Sequence, residues 1–417
     1  MRCEIITIGD ELLIGQVINT NQAFIAERLT AAGITVERMT SIGDTLEDIV
    51  QTLEEAWHRQ EVVIVTGGLG PTHDDVTKTA LCRLLKTDLV PDDRVRERIT
   101  LLLRSRNAGW SDSAEQQTLV PRGMLVFVNP VGTAPGLVAE REGHLLAVLP
   151  GVPYEMRELM TGSLIPFLTA RAGTPSLVHR TLRTTGIPES MLARELGDVT
   201  ALLEGARLAY LPSPRGVRLR ITAHEATLEA SRATVARIEQ RIRDRVQAYI
   251  YGVEDEELEE VVGALLAERS LTVAVAESCT GGMLADKFTN VSGSSRYFER
   301  GVIAYSNRAK TELLGVPPGL IEERGAVSRE VAAAMAEGVR RAAHTAIGLS
   351  TTGIAGPTGG TSEKPVGFVW IACADEAGTV VISRRFGNDR LRFKDRASHA
   401  ALDLLRGRLL GRLPPEA

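Results

Sequence analysis

Cysteine is scarce in this chain, and what there is lies scattered. Cys3, Cys82, Cys279 and Cys373 are spread over 417 residues with no CxxC or CxxH spacing. That spacing speaks against a disulfide framework and a zinc site, and it suits a reducing compartment. Positive charge is not in surplus either: the net charge is -5, whereas a general nucleic-acid coat carries a basic footprint. No stretch reaches the roughly 18 uninterrupted apolar residues of a membrane span. The opening MRCEIITIGDELL enters strand-like sequence at once, without a cleavable apolar leader. Histidine, the usual partner of a nucleophile, is represented after residue 255 by His344 and His399 alone. The rest is ordinary globular composition, with 44% hydrophobic and 24% charged residues. These features lead us to expect a cytoplasmic α/β protein of several domains that keeps clear of membranes.

Strand-like and helix-period runs alternate through roughly the first 165 residues. Glu4–Ile8 and Glu61–Thr66 read as strands, and Gln22–Ala32 and Leu46–His58 as amphipathic helices. Short apolar strands separated by helices predict a parallel or mixed sheet covered on both faces. A small-residue stretch from Ala170 to Ser176 reads as a linker. The middle segment reads β-α-β-β-α over His179–Thr185, Glu189–Leu196, Leu208–Leu211, Val217–Thr222 and Thr227–Tyr249. A second junction is expected from Gly252, its acids suiting the start of a helix over Leu258–Glu268. Strands are then predicted near 271–276, 301–305, 346–351, 366–373 and 379–386, with helices near 280–290, 329–343 and 390–410.

In the first segment, the strand Glu61–Thr66 runs into Gly67-Gly68-Leu69-Gly70-Pro71-Thr72-His73-Asp74-Asp75. Glycines at a strand-to-helix junction let backbone N–H groups close on a phosphate, and Thr72 adds a hydroxyl donor. The loop lacks the Gly-Lys-Ser/Thr of a Walker A motif and the third glycine of a dinucleotide fingerprint. Asp74 and Asp75 would repel a bare phosphate. With Asp10 and Asp44 they make sense if a divalent cation bridges them to a phosphorylated ligand. The competing reading is a glycine turn with aspartates capping a helix, and His73 a solvated loop residue. Two further glycine/proline loops, Asn129–Gly136 and Leu149–Glu155, also follow apolar runs and suggest a ligand crevice at the strand ends.

The last segment carries the sharper chemistry. Leu271–Ala276 delivers the chain into Glu277-Ser278-Cys279-Thr280-Gly281-Gly282, and Gly301–Ala304 ends at Tyr305-Ser-Asn307-Arg-Ala-Lys310. A hydroxyl at a strand-to-helix turn lies beside helix N–H groups that can hold an oxyanion. A serine needs a base, and with no histidine at a strand end, Lys310 and Tyr305 are the candidates. Lys310 can act as a base only if burial lowers its pKa. Cys279 competes as nucleophile, and Ser278 or Thr280 could instead cap the helix. A third polar loop, Thr351 to Gly360, also follows a strand-like run.

The quoted motifs resemble the CinA family. GDELLIGQVINTNQ, TGGLGPTHDD, NPVGTAPGL and LPGVPYEM are similar to its front domain, a three-layer molybdopterin-binding-like fold, here over 1–170. The resemblance implies ADP-ribose pyrophosphatase activity with Mg2+ or a similar divalent cation. Asp44, Asp74 and Asp75 would hold the metal, and Gly67, Gly68, Gly70, Thr72 and Asp10 the phosphate. The middle, 175–251, resembles a small α+β KH-type domain acting as a connector. It carries twelve arginines against eight acids over 180–250 but no GXXG loop, so nucleic-acid binding is not expected. AESCTGG, GVIAYSNRAK, GAVS and STTGIAGPTGG resemble the family's nicotinamide-nucleotide amidase domain, an α/β/α fold over 255–415. By that resemblance Ser278 is the nucleophile, assisted by Tyr305 and Lys310, with helix-end N–H groups near Thr280–Gly282 holding the oxyanion. Thr280, Gly281, Gly282, Asn307, Thr352, Gly353 and Gly356 would line the nucleotide pocket. Arg392 would meet the phosphate, with Arg308 and Lys364 as rivals. The substrates implied are nicotinamide mononucleotide (NMN) and ADP-ribose, the amidase needs no cofactor, and a homodimer is expected. The alternative of another class is a non-catalytic nucleotide- or pterin-sensing protein of competence or the DNA-damage response.

Overall fold

Val62–Thr66 is an unbroken apolar, β-branched run, and all five residues are buried. Only the centre of a sheet covered on both faces buries such a strand. In the computed structural model, which describes residues 1–72, 75–172 and 177–412, it sits at the middle of a six-stranded sheet. The order is Thr35–Ile42, Arg2–Ile8, Val62–Thr66, His144–Leu149, Gly136–Arg141 and Leu125–Phe127. The first four run parallel, and Gly136–Arg141 runs antiparallel to both of its neighbours. Period-2 alternation splits its side chains between two cores. Ile6 and Val65 pack with Leu53, Trp57 and Leu81 on one face, and Ile5 and Ile64 with Ile25, Leu29 and Met156 on the other. The helices expected over 22–32 and 46–58 form as Thr20–Ala31, capped by Asn19, and Leu46–Arg59.

The middle domain has the expected β-α-β-β-α succession and two elements more. A single turn of helix, Thr200–Leu203, follows Glu189–Leu196. A fourth strand, Ile250–Val253, pairs antiparallel with Leu177–Thr184. The junction expected from Gly252 therefore starts later, because Ile250 and Gly252 are the buried positions of an alternating edge strand. Gly197-Asp198-Val199, between the two helices, offers no GXXG clamp. Several arginines of the long helix are already engaged. Arg237 and Arg241 pair with Glu204, Arg243 with Glu239 one turn away, and Arg245 donates to the Leu196 carbonyl.

The C-terminal sheet has five strands in the order Phe298–Ile303, Val273–Glu277, Ile347–Gly353, Phe368–Asp375 and Gly378–Arg385. The first three are parallel, so their C-terminal ends share one edge; Phe368–Asp375 runs antiparallel to both of its neighbours. Val273 and Val275 face the core under helices Leu258–Glu268 and Arg390–Leu409. Ala274 and Ala276 face the core under helix Arg329–Ala343. Helices Asn307–Leu314 and Pro318–Arg324 were not anticipated; Ser306 caps the first by accepting from the Ala309 N–H. His179–Ala223 of the middle domain forms one compact unit with the chain from Ala233 onward, which includes the C-terminal domain. Among the described residues no helix is long and apolar enough to cross a membrane.

Candidate active site

The parallel strands Val273–Glu277, Phe298–Ile303 and Ile347–Gly353 end side by side, and their loops enclose a cleft of about 200 Å³. Ser278, Cys279, Tyr305, Asn307, Lys310, Thr352, Gly353 and Arg390 are among its lining residues. The strand register brings this about. Ser278 follows the last paired residue of its strand, and its N–H donates to the Thr351 carbonyl of the neighbour. Lys310 lies in the first turn of helix Asn307–Leu314, so its side chain turns back over the loop it has just left.

Lys310 is almost wholly buried, at 1% exposure. Its Nζ lies 3.0 Å from Ser278 Oγ, 2.9 Å from the Ala304 carbonyl and 3.2 Å from the Tyr305 carbonyl. Burial pushes the Lys310 pKa below the usual amine range, and the nearby Cys279 opposes this only in part. A neutral amine has two N–H donors and one lone pair. With both donors on the two backbone carbonyls, the lone pair is left for the Ser278 hydroxyl. Cys279 is placed differently. Its thiol is buried, and burial pushes its pKa up to about 12, so it holds almost no thiolate near neutrality.

The turn after Ser278 is not arranged as expected. Glu277, 1% exposed, accepts from the N–H groups of Gly282, at 2.9 Å, and Leu284, at 3.1 Å, through one oxygen, and from Ala285, at 2.8 Å, through the other. The Gly282 N–H is thereby taken, and the helix terminus is capped by a carboxylate. The Thr280 and Gly281 N–H groups donate to no acceptor among the described residues. The Thr280 hydroxyl bonds Thr351 at 2.7 Å inside the fold, so it ties the turn to the neighbouring strand and does not line the cleft. Gly282 sits at φ 96°, in left-handed backbone that glycine tolerates best.

Tyr305 is 62% exposed. It meets Lys310 through its carbonyl, while its hydroxyl accepts from Arg390 at 3.2 Å. Arg390 also donates to the Gly356 carbonyl at 2.9 Å, which is the role Gly356 plays here. Thr352 lines the cleft, but its hydroxyl donates to the Ala326 carbonyl. Arg392 is exposed and outside the cleft lining. The first helical residue after the cap, Asp389, is Arg390, and two residues along a helix turn the side chain by about 200°. Arg390 is exposed too, but it lines the cleft and is in helical phase with the buried Phe393, Ala397 and Ala401, three, seven and eleven residues on; that periodicity is the available signal. Arg308 is exposed and faces Glu312, and Lys364 donates to the Arg324 carbonyl.

In the N-terminal unit the glycines of the Gly67–Gly70 loop are demanded by packing. A Cβ on Gly67 would lie 2.2 Å from the Ile8 carbonyl oxygen, and one on Gly68 would lie 2.2 Å from Thr77 Oγ1. Thr72 and Asp75 occupy each other, the carboxylate accepting from both the N–H and the hydroxyl of Thr72. A Cβ on Gly70 would strike that same Asp75 carboxylate. Asp10 and Asp44 exchange bonds through their N–H groups. Burial raises the Asp44 pKa, and the charges of Asp10, Glu11 and Asp75 add to it, against the Asp10 N–H bond that lowers it. Asp74 and His73 lie outside the described residues. Among the described residues no three His, Cys, Asp or Glu side chains converge as metal ligands. Asp10, Asp44 and Asp75 offer the hard carboxylate oxygens that a divalent cation takes, and no step through one is derived.

Comparison with known proteins accounts for the whole chain. Residues 4–170 match a family described as a probable molybdopterin binding domain. Residues 179–252 match the damage-inducible protein CinA KH domain, and residues 255–409 the CinA C-terminal domain. A competence-damage inducible protein of Moorella thermoacetica is 44% identical, over 97% of this chain and 98% of its own length. A CinA-like protein of Salinibacter ruber is also 44% identical, over 97% and 98%. A crystal structure of a competence/damage inducible protein from Agrobacterium tumefaciens, 35% identical, covers 36% of this chain and 96% of its own, with a TM-score of 0.35. With full-length relatives at this identity and its three domains in this order, the chain belongs to the CinA family.

Proposed function

We propose that the C-terminal domain is a serine amidase acting on the carboxamide of NMN, yielding nicotinic acid mononucleotide and ammonia. The observation that carries this reading is the 3.0 Å contact between Ser278 Oγ and the buried Lys310 Nζ. Ser278 Oγ attacks the carboxamide carbon as its proton passes to neutral Lys310. The oxyanion is held by the exposed Gly281 N–H group, which Glu277 leaves unused. Collapse breaks the C–N bond, and Lys310 returns its proton to the leaving nitrogen, which departs as ammonia. Water, deprotonated by the same amine, then cleaves the ester and frees the acid and Ser278. Tyr305 serves by tethering Arg390, whose guanidinium is the cation at the cleft that suits the nucleotide phosphate.

Incubating the full-length protein with NMN and measuring ammonia tests this. Release that depends on Ser278 is the expected result. Binding of NMN without release would favour the sensing role instead.

For the N-terminal unit we propose binding of a phosphorylated ligand with its cation, ADP-ribose being the substrate the resemblance implies. Its support is the crowding of Asp44 by Asp10, Glu11 and Asp75, which a cation would relieve. Release of AMP from ADP-ribose with Mg2+, lost on adding EDTA while NMN turnover persists, is the expected outcome. No release under any divalent cation would leave this unit without the hydrolytic role.

A further inference from the structure

The middle domain reaches the C-terminal domain through a chain of charges. Arg215, in the hairpin turn between strands Arg207–Ser213 and Gly216–His224, places its Nε 3.0 Å from Asp395 Oδ2. Its Nη1 is 3.5 Å from Glu257, the N-cap of helix Leu258–Glu268. The other oxygen of Asp395 faces Lys287 Nζ at 3.1 Å. Lys287 is 4% exposed, with Glu259 a second, more distant carboxylate at 3.9 Å. Arg183 completes the set by bonding Glu257 at 2.8 Å.

The positions of these residues matter more than their number. Lys287 lies on Met283–Thr289, the helix that begins directly after the turn following Ser278. Asp395 lies on Arg390–Leu409, the helix whose first residue is Arg390. One carboxylate therefore joins the two helices that carry the turn and the cleft arginine. Burial alone would raise the Asp395 pKa, but the bond from Arg215 and the charge of Lys287 hold it below the usual carboxylate range. A buried ion pair is favourable only when its remaining lone pairs are satisfied. Asp395 is part-buried, and Arg215 of the neighbouring domain supplies its second cation beside Lys287.

We propose that Arg215 of the middle domain is a positioning residue for the C-terminal site. By binding Asp395 it fixes helix Arg390–Leu409 against helix Met283–Thr289, so that Arg390 faces the cleft, while the turn after Ser278 keeps its own hold through Glu277. The connector is thus part of the machinery that orders the substrate, while the chemistry at Ser278 and Lys310 lies beyond its reach. Loosening the joint is expected to weaken substrate binding and to leave the bond-breaking step largely alone.

The kinetic form of the claim rests on the amidase reading, so the test has one arm that does not. Full-length Arg215→Met, Arg215→Lys and, as a control, Arg218→Met on the exposed side of the same hairpin are compared with the parent. Without substrate, Arg215→Met is expected to speed amide hydrogen exchange over 283–289 and 388–396, with the five-stranded sheet unchanged. With NMN, its KM is expected to rise about fivefold or more at a kcat within about twofold. Arg215→Lys, which keeps the charge, restores most of the loss, and Arg218→Met behaves as the parent. Exchange unchanged in Arg215→Met overturns the proposal, whatever the substrate. A fall in melting temperature with KM and local exchange both unaltered also overturns it, since the ion chain would then only join the domains. Faster local exchange in a protein whose parent releases no ammonia upholds the joint and removes the amidase reading instead.

Discussion

Lys310 Nζ stands 3.0 Å from Ser278 Oγ and is held there by two backbone carbonyls, those of Ala304 and Tyr305. The carbonyls fix the amine in place and, when it is neutral, aim its lone pair at the hydroxyl. Ser278→Ala is therefore expected to lower kcat for ammonia release by about 10³-fold or more, because among the described residues no other activated nucleophile lines the cleft. Cys279→Ala is expected to keep most of the activity, its thiol being buried and protonated. Steady-state ammonia assays on the two variants check this.

The pH dependence has a definite sign. Burial lowers the folded-state pKa of Lys310 below 10.5, and only the neutral amine accepts the serine proton. The value of kcat/KM should rise with pH through that lowered pKa and then level off. Lys310→Arg, which cannot be deprotonated in this range, should be inactive at every pH. The same shift bears on stability. Between the folded pKa and 10.5 the unfolded chain binds the extra proton, so the contribution of Lys310 to stability rises with pH across that window. At lower pH the full penalty for burying the charged amine is present. Unfolding titrations of parent and Lys310→Met over this range measure the difference.

Arg390 and Arg392 separate by helix face. Arg390→Met should raise KM for NMN about tenfold or more, since the cleft loses a charged donor suited to a phosphate. Arg392→Met, pointing the other way, should leave KM within about twofold by the same criterion. Steady-state kinetics of both variants decide between the two faces.

Glu277 supports the turn from beneath. Glu277→Ala strands three helix-end N–H groups and should cost about 2–4 kcal/mol in denaturant unfolding. Glu277→Gln keeps an acceptor and should lose less. In both variants kcat should fall together with stability, because the same turn carries Ser278.

Much of this was legible in the sequence because strand ends are legible. Ser278 and Lys310 stand at the ends of apolar runs, and a parallel sheet gathers such ends on one edge. The sequence misleads where a side chain has a second use. Glu277 precedes a glycine-rich helix start and intercepts the Gly282 N–H that the oxyanion was expected to take. Tyr305 reads as a helper of Lys310, yet only its carbonyl touches the amine, and its hydroxyl meets Arg390. The arginine at the cleft differs from the expected one by two residues, within the precision of a helix start read from sequence. The Arg215–Asp395 bond joins residues 180 positions apart, which no local pattern reveals. In the front domain the glycines serve close packing as well as any ligand, so their spacing identifies the fold better than the reaction.

The central claim is that the Ser278 oxygen becomes an ester during turnover. Mass spectrometry of the full-length protein, acid-quenched during reaction with NMN and digested, addresses it directly. The account predicts a nicotinoyl-mononucleotide adduct on the peptide bearing Ser278 and Cys279, with fragmentation placing it on Ser278 and none formed by Ser278→Ala. An adduct on Cys279, or undiminished ammonia release from Ser278→Ala, would contradict it.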